Sequence, residues 1–420
     1  MVCGAMQDAG AETIDVAIVG AGPAGLMAAD AAAQAGARVV VFDAMPSVGR
    51  KFLMAGRSGL NITHSEPLET FLARYGSAAA WMRPFLEAFP PADLRAFCDG
   101  LGAETFVGTS GRVFPKAMKA SPLLRAWLRR LDGFGVAIRV RRRLQKIEAG
   151  DDAMTLRFQA PDGSTQTISA RAVVLALGGA SWPRLGSSGA WRDLLAPHGF
   201  RIAEFIPSNC AVEIHWSQTF RDKFESQAIK TAAFSFGGRT IRGEAVVTRR
   251  GLEGGPVYAL SKAIGEKLRG DGAAKLAVDL KPDVSATDIA RRLDRRRKGD
   301  SLSNVLRKTL HLSPLAIGLL REAGSDLTSP EQIAEAVKAL QLPVAAVAGL
   351  DRAISTAGGL SREDIDENLM ARQTPGLFFA GEMLDWDAPT GGYLLQACFA
   401  MGRAAGAAAA THAATRRPRA

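Results

Sequence analysis

Cysteine is scarce in this sequence of 420 residues: there are four, Cys3, Cys98, Cys210 and Cys398, set far apart. No C-x-x-C occurs, which excludes a compact redox thiol pair, a zinc knuckle or an iron–sulfur cluster. So sparse a thiol content suits a reducing compartment. Long hydrophobic runs are absent too, since no stretch approaches the ~18 uninterrupted apolar residues of a membrane span. Residues 1 to 15 contain Asp8 and Glu12 and have neither a basic start nor an apolar centre, so no secretory leader is expected. The expectation is a soluble, cytoplasmic protein. Internal repeats are missing, and one Gly-rich dinucleotide motif has no second copy.

Apolar residues are plentiful at 47% of the chain, enough for a large core. Single cores stop growing at ~250–300 residues, so two or three domains are expected. There are 52 Lys and Arg against 42 Asp and Glu, a net charge of +10. That excess fits an anionic partner such as a dinucleotide, an acidic substrate or RNA, and arginine spent on solubility accounts for it equally well.

Two motifs stand more than three hundred residues apart. Val16-Ala-Ile-Val-Gly20-Ala-Gly22-Pro23-Ala24-Gly25 follows an apolar strand from Ile14 and opens an alanine-rich helix, Leu26 to Ala35. This is the context a G-x-G-x-x-G match requires: Gly20 for the turn, Gly22 for close approach to a pyrophosphate, Gly25 for helix-on-strand packing, with the phosphates at a helix N-terminus. A second strand, Arg38 to Phe42, ends in Asp43, an acid placed to accept from ribose hydroxyls. Leu377-Phe-Phe-Ala-Gly381-Glu382 near the other end completes the pattern of a site for FAD.

Between them the pattern changes repeatedly. Val48 to His64 is Gly-rich, cationic and without a period, and reads as a functional loop. Helices are expected over 69–75, 80–89, 94–101 and 122–131, with strands at 136–140, 154–159, 166–168 and 172–177. From about Phe205 short alternating strands suggest a β unit (211–216, 232–236, 244–248), and from Ala286 to Ala348 the pattern is helical. The expected organisation is an FAD-binding part over 14–205, an inserted β plus helical region over 206–350, a second FAD-binding part over 351–412 and a disordered basic tail over 413–420. The fold class is α/β: a Rossmann-like FAD/NAD(P)-binding domain interrupted by a β-barrel-like plus helical insertion.

Gly49-Arg-Lys-Phe-Leu-Met-Ala-Gly56-Arg-Ser-Gly-Leu-Asn61-Ile-Thr-His64, together with Gly381-Glu-Met-Leu-Asp385 and Thr390-Gly-Gly-Tyr-Leu-Leu-Gln396, resembles the bacterial aminoacetone-oxidase-like FAD-dependent oxidoreductases. The resemblance implies that Gly20, Gly22, Pro23, Ala24 and Gly25 hold the pyrophosphate and that Asp43 and Ala44 meet the adenosine ribose. It implies that Arg50 and Lys51 flank the phosphates and the riboflavin end. Gly56, Arg57, Ser58, Gly59, Asn61 and His64 would surround the isoalloxazine, and the backbone of Leu144 would face adenine. Ala176, Leu177, Gly178 and Gly179 would pass the dinucleotide, Gly381 and Glu382 would bind the ribityl hydroxyls, and Gly391, Gly392 and Tyr393 would open a helix whose amides stabilise a reduced flavin. One stretch departs from the pattern: Gly251-Leu-Glu-Gly-Gly-Pro-Val-Tyr258 replaces a Gly-Leu-Ser-Gly-Pro type of string and points to a divergent subgroup.

In such a site the flavin carries the redox chemistry and the protein positions a substrate against N5. His64 is the candidate acid–base group, with a purely structural role as the alternative. Arg57 is the candidate anion clamp, or a neutraliser of the cofactor's charge. Glu382, Asp385 and Asp387 do not form a metal pattern, and no metal is expected. The implied function is an FAD-dependent oxidoreductase moving a hydride to or from a small organic substrate. NADH or NADPH as reductant and oxygen as acceptor both stay open. The alternatives are an FAD-dependent RNA-modifying enzyme using the basic run Arg291 to Lys298, a run that on a helix is more commonly a solvated face, and a flavin redox sensor. Nucleic acid is thus a less favoured partner than a small molecule.

Overall fold

The computed structural model describes residues 13–56, 59–294 and 301–416. The chain divides into two units, one made of the segments up to Ile206 and from Thr356 onward, the other of Pro207–Ser355.

The first unit is built on a seven-stranded sheet. Ala137–Arg139, Val39–Phe42, Thr13–Val19, Thr165–Leu175 and Leu377–Phe379 lie side by side and parallel. Their apolar runs are buried on both faces, as parallel strands require. Residues 166–168 and 172–177, expected as separate strands, belong to one eleven-residue strand. Its first half pairs antiparallel with Met154–Gln159 and its second half with Leu377–Phe379, so one strand serves two neighbours in succession. The Gly-rich stretch expected as loop contains a short helix, Arg50–Ala55, and a short strand, Thr63–His64.

The final helix, Tyr393–Thr415, packs along the helix Pro23–Gln34. Gly402 and Gly406 face the carbonyl oxygens of Ala24 and Ala28 with no room for a Cβ, so the two backbones meet directly. The helix runs past the expected start of the tail at 413, because Ala413 is still part of the core at 1% exposure. Residues 417–420 of that tail lie outside the described residues.

In the second unit seven strands form a sheet whose two edges are Leu340–Val344 and Ala346–Val347. These edges are consecutive in the chain, separated by Ala345 alone. One pairs with Ala274–Asp279 and the other with Val212–Glu213, so the sheet curls until a single segment closes it, barrel fashion. That segment was expected to be helical, yet Leu340, Leu342 and Val344 alternate buried with exposed neighbours, the period of a strand. The 17-residue helix Gly255–Asp271 went unread in the sequence, where its Gly-Gly-Pro start looks like a turn. Four further helices (Ala286–Asp294, Leu302–Thr309, Pro314–Glu322, Pro330–Lys338) share the unit's own hydrophobic core. The stretch 295–298 of the basic run lies outside the described residues.

Among the described residues no helix is long and apolar enough to cross a membrane.

Candidate functional site

The strand Thr13–Val19 delivers Gly20 to the mouth of the sheet, and the helix Pro23–Gln34 starts two residues later. Between them opens a cleft of about 520 Å³. A Cβ on Gly25 would fall inside the carbonyl oxygen of Gly20, whereas a Cβ on Gly22 would meet no protein atom within 4 Å. Gly25 therefore closes the turn, and Gly22 faces the open cleft.

Asp43 braces this turn. One carboxylate oxygen accepts from the Ala21 amide at 2.8 Å and the other from the Met45 amide at 2.7 Å. Burial pushes its carboxyl up, against the two amides and Arg50, which pull it down. Each oxygen retains a lone pair beyond its amide bond, so the acid shapes the turn and can still accept a hydrogen bond.

Of the expected cofactor residues, Gly20, Gly22, Pro23, Ala24, Asp43, Ala44, Arg50, Lys51, Leu144, Ala176, Leu177, Gly178 and Glu382 line the cleft. Gly25, Gly56, Gly59, Asn61, Gly179, Gly381, Gly391, Gly392 and Tyr393 do not. Gly56 packs on Ala120, and Gly179 on Thr356. Arg57 and Ser58 lie outside the described residues. Sequence reasoning passed over Arg142, Arg143, Ser187 and Trp191, which also line the cleft. The Gly186-Ser-Ser-Gly189 string was the available signal for Ser187.

At the far side of the cleft lining Glu382 is 7% exposed. It accepts from the Lys51 ammonium at 2.6 Å and from the Thr356 amide at 3.0 Å. Lys51 also donates to Ser181 Oγ at 2.6 Å, and Thr356 Oγ1 accepts from the Ala180 amide. Lys51, expected to flank the phosphates and the riboflavin end, is thus neutralised within a network joining three distant segments.

A second cluster gathers the Asn61 loop and the start of the final helix. Asn61 donates to the carbonyls of Thr63 and Val113, which leaves its Oδ1 buried without a partner. Gly392 abuts Thr63 so closely that a Cβ would come within 2.5 Å of its backbone. The Tyr393 ring stacks on His64, with centroids 5.6 Å apart and planes 18° apart. Its hydroxyl donates to Glu66 at 2.8 Å. Burial and the Glu66 carboxylate push the Tyr393 hydroxyl well above its ordinary value. His64 accepts the Glu66 amide at Nδ1, and its Nε2 lies 3.0 Å from the Ser110 carbonyl, so both nitrogens are engaged.

Burial alone would raise Glu66, but the Arg74 guanidinium and the Tyr393 hydroxyl together outweigh it and hold the carboxyl below its ordinary value. A depressed carboxyl stabilises the fold above its unfolded pKa and loses that contribution as pH falls through the folded value. Glu66→Gln should therefore lower the melting temperature by a few degrees at neutral pH. In melts across a pH series the difference from wild type should be full above about pH 4.5, the ordinary glutamate value, and vanish in stronger acid.

Burial pushes the Cys98 and Cys398 thiols up to about 12. No group of three His, Cys, Asp or Glu that could hold a metal occurs among the described residues.

The cleft suits a dinucleotide on its own evidence. Its floor lacks a Cβ where a pyrophosphate approaches, a helix N-terminus points at it, and Arg50 Nε and Ser187 Oγ are buried polar atoms in its lining that have no partner. The family model described as "HI0933-like protein Rossmann domain" matches residues 14–408. The chain belongs to this family. Its cofactor cradle is that of an FAD-dependent oxidoreductase, and FAD is the group it fits.

Among curated proteins it is 27% identical over 419 residues to a 3-dehydro-bile acid delta(4,6)-reductase of Clostridium scindens, covering 94% of this chain and 98% of that protein. It is 24% identical over 406 residues to the ribosomal RNA dihydrouridine synthase of Escherichia coli, covering 92% and 95%. Among solved structures, a flavocytochrome c3 fumarate reductase in its open conformation superposes with a TM-score of 0.55 at 20% identity, covering 96% of this chain and 79% of that one. A 3-ketosteroid delta1-dehydrogenase from Sterolibacterium denitrificans in complex with 1,4-androstadiene-3,17-dione gives 0.55 at 15%, covering 95% and 99%. At these identities the structures share the fold.

Proposed function

We propose that this HI0933-like protein reduces a carbon–carbon double bond conjugated to a carbonyl in a small organic molecule, with NADH or NADPH as the electron source. The observation that carries the reading is the dinucleotide cradle joined to two relatives whose names describe one operation. A delta(4,6)-reductase of a 3-dehydro-bile acid and a dihydrouridine synthase both add hydrogen across a C=C bond, in each case one conjugated to a carbonyl.

FAD, when bound, supplies hydride transfer through N5. The chain's own residues do the rest. The amides after Gly22 and the Arg50 guanidinium would hold the pyrophosphate, Asp43 would accept from the ribose, and the Lys51–Glu382 pair would hold the ribityl end. Arg57 is proposed as an anion clamp at the reacting end. His64, with both nitrogens committed, is proposed as a positioning residue that holds Tyr393 and the Asn61 loop.

In FAD-loaded protein under anaerobic conditions, NADH or NADPH should bleach the flavin bands, and a conjugated enone should then restore them while an isolated alkene should not. Flavin that resists both nicotinamides but is bleached by an amine would favour the oxidase direction that the aminoacetone-oxidase-like resemblance implies. Flavin bleached by none of these would defeat the proposal.

One observation favours a second reading, an RNA substrate. The unit Pro207–Ser355 carries 23 Lys and Arg against 17 Asp and Glu, so +6 of the chain's +10 resides there. Binding of a short single-stranded RNA should then weaken steeply between low and physiological salt. Binding that is salt-insensitive or absent would return the reading to small molecules.

A further inference from the structure

The three-stranded sheet formed by Thr63–His64, Arg112–Pro115 and Thr105–Val107 in the first unit has two unlike faces. Alternation puts Thr63, Val113 and Pro115 on the inner face, where all three are buried. On the outer face His64 stands opposite Arg112, and Phe114 opposite Phe106. The two phenyl rings lie 5.8 Å apart and 30° from parallel. Phe106 is 38% exposed and Met118 39%. A Cβ on Gly59 would touch both Met118 and Phe114, so this apolar surface adjoins the Asn61 loop. Phe106 and Met118 are two of only six large apolar side chains exposed among the described residues.

The face is therefore graded. One end is polar, with His64 stacked on Tyr393 and the half-buried Arg112, which among the described residues has no carboxylate partner. The other end is a bare hydrocarbon surface, with the neutral Lys116–Glu104 pair nearby. A flat apolar surface left open to water costs free energy unless something covers it. A guanidinium at one end of it selects what that something is.

We infer that this face is the substrate platform: it receives a flat, largely hydrocarbon ring compound bearing a carbonyl, the rings lying on Phe106, Phe114 and Met118 and the oxygen accepting from Arg112. The inference rests on the proposed reductase reading and narrows its substrate from conjugated carbonyl compounds in general to apolar polycyclic ones.

The test is equilibrium dialysis of 4-androstene-3,17-dione against the full-length FAD-loaded protein, with flavin content read by absorbance. Wild type should bind saturably. Phe106→Ser and Arg112→Gln should each weaken binding roughly tenfold, while Phe134→Ser, at a 42% exposed aromatic away from this sheet, should leave it unchanged. Flavin content should be the same in all four proteins. No saturable binding by wild type, or equal binding by the Phe106 and Phe134 variants, overturns the platform. Flavin that nicotinamide bleaches while the steroid fails to bind would remove the platform and leave the reductase reading standing. Steroid bound on the platform with flavin that no nicotinamide bleaches would do the reverse.

Discussion

Gly22→Ala should give a folded protein that has lost most of its flavin, whereas Gly25→Ala should not fold. The two glycines are three residues apart in one motif, and their surroundings are opposite. At Gly22 the backbone is extended, with φ −84° and ψ −177°, and a methyl group meets no protein atom. The fold loses only the preference for glycine over alanine at a helix N-cap, less than about 1 kcal/mol. The methyl projects into the cleft where the pyrophosphate approaches, so FAD affinity should fall by about 10- to 100-fold through a lost charge-assisted hydrogen bond. At Gly25 the same methyl collides with the Gly20 carbonyl, which neither strand nor helix can move aside, and the cost exceeds about 4 kcal/mol. Circular dichroism melts and flavin absorbance on the two variants separate these outcomes. A colourless, folded Gly25→Ala protein would show that both glycines merely clear space for the cofactor.

Lys51→Met should destabilise the first unit by about 3 kcal/mol, because it strands a buried carboxylate. Glu382 would keep the Thr356 amide and lose its ammonium partner, with its side chain 8% exposed. Glu382→Gln should cost only about 1 kcal/mol, since the amide oxygen still accepts from Thr356. Combining the two removes the unpaired charge, so Lys51→Met/Glu382→Gln should be more stable than Lys51→Met alone. Urea unfolding of the four proteins measures the coupling as a double-mutant cycle. Additive losses would mean that the pair is held together by its surroundings and contributes nothing of its own.

The first strand, turn and helix were legible in the sequence, as was Asp43, because each depends on neighbours a few residues away. The apolar run, the glycine spacing and the alanine-rich helix state one local geometry. The bracing of Ala21 and Met45 by Asp43 was not legible, because nothing in the spacing says that a carboxylate turns inward as well as outward. Gly56 and Gly59 read as part of a flavin loop. In the structure Gly56 also admits the helix Ala120–Gly133, a packing role that the sequence did not show, since a glycine needed for packing and one needed for a ligand look identical in one dimension. Leu340–Val344 was read as helix because its alternation is short and follows a helical stretch. The strand period won there because Leu340–Val344 pairs with the open side of Ala274–Asp279.

The sequence by itself determined the strand, Gly-rich turn and helix of a dinucleotide cradle on a parallel α/β sheet and pointed to a separate β and helical region that interrupts it, since hydrophobic period and turn chemistry are local properties. Only the tertiary structure decided which charges cancel and which remain available. Lys51 and Glu382, 331 residues apart, meet because the last sheet strand lies beside Thr165–Leu175. His64 and Arg112 share an outward face with Phe106 and Phe114 through a register that pairing alone fixes. Contacts between distant segments depend on how the layers stack, and a side chain's partner is set by that stacking rather than by its neighbours in the chain.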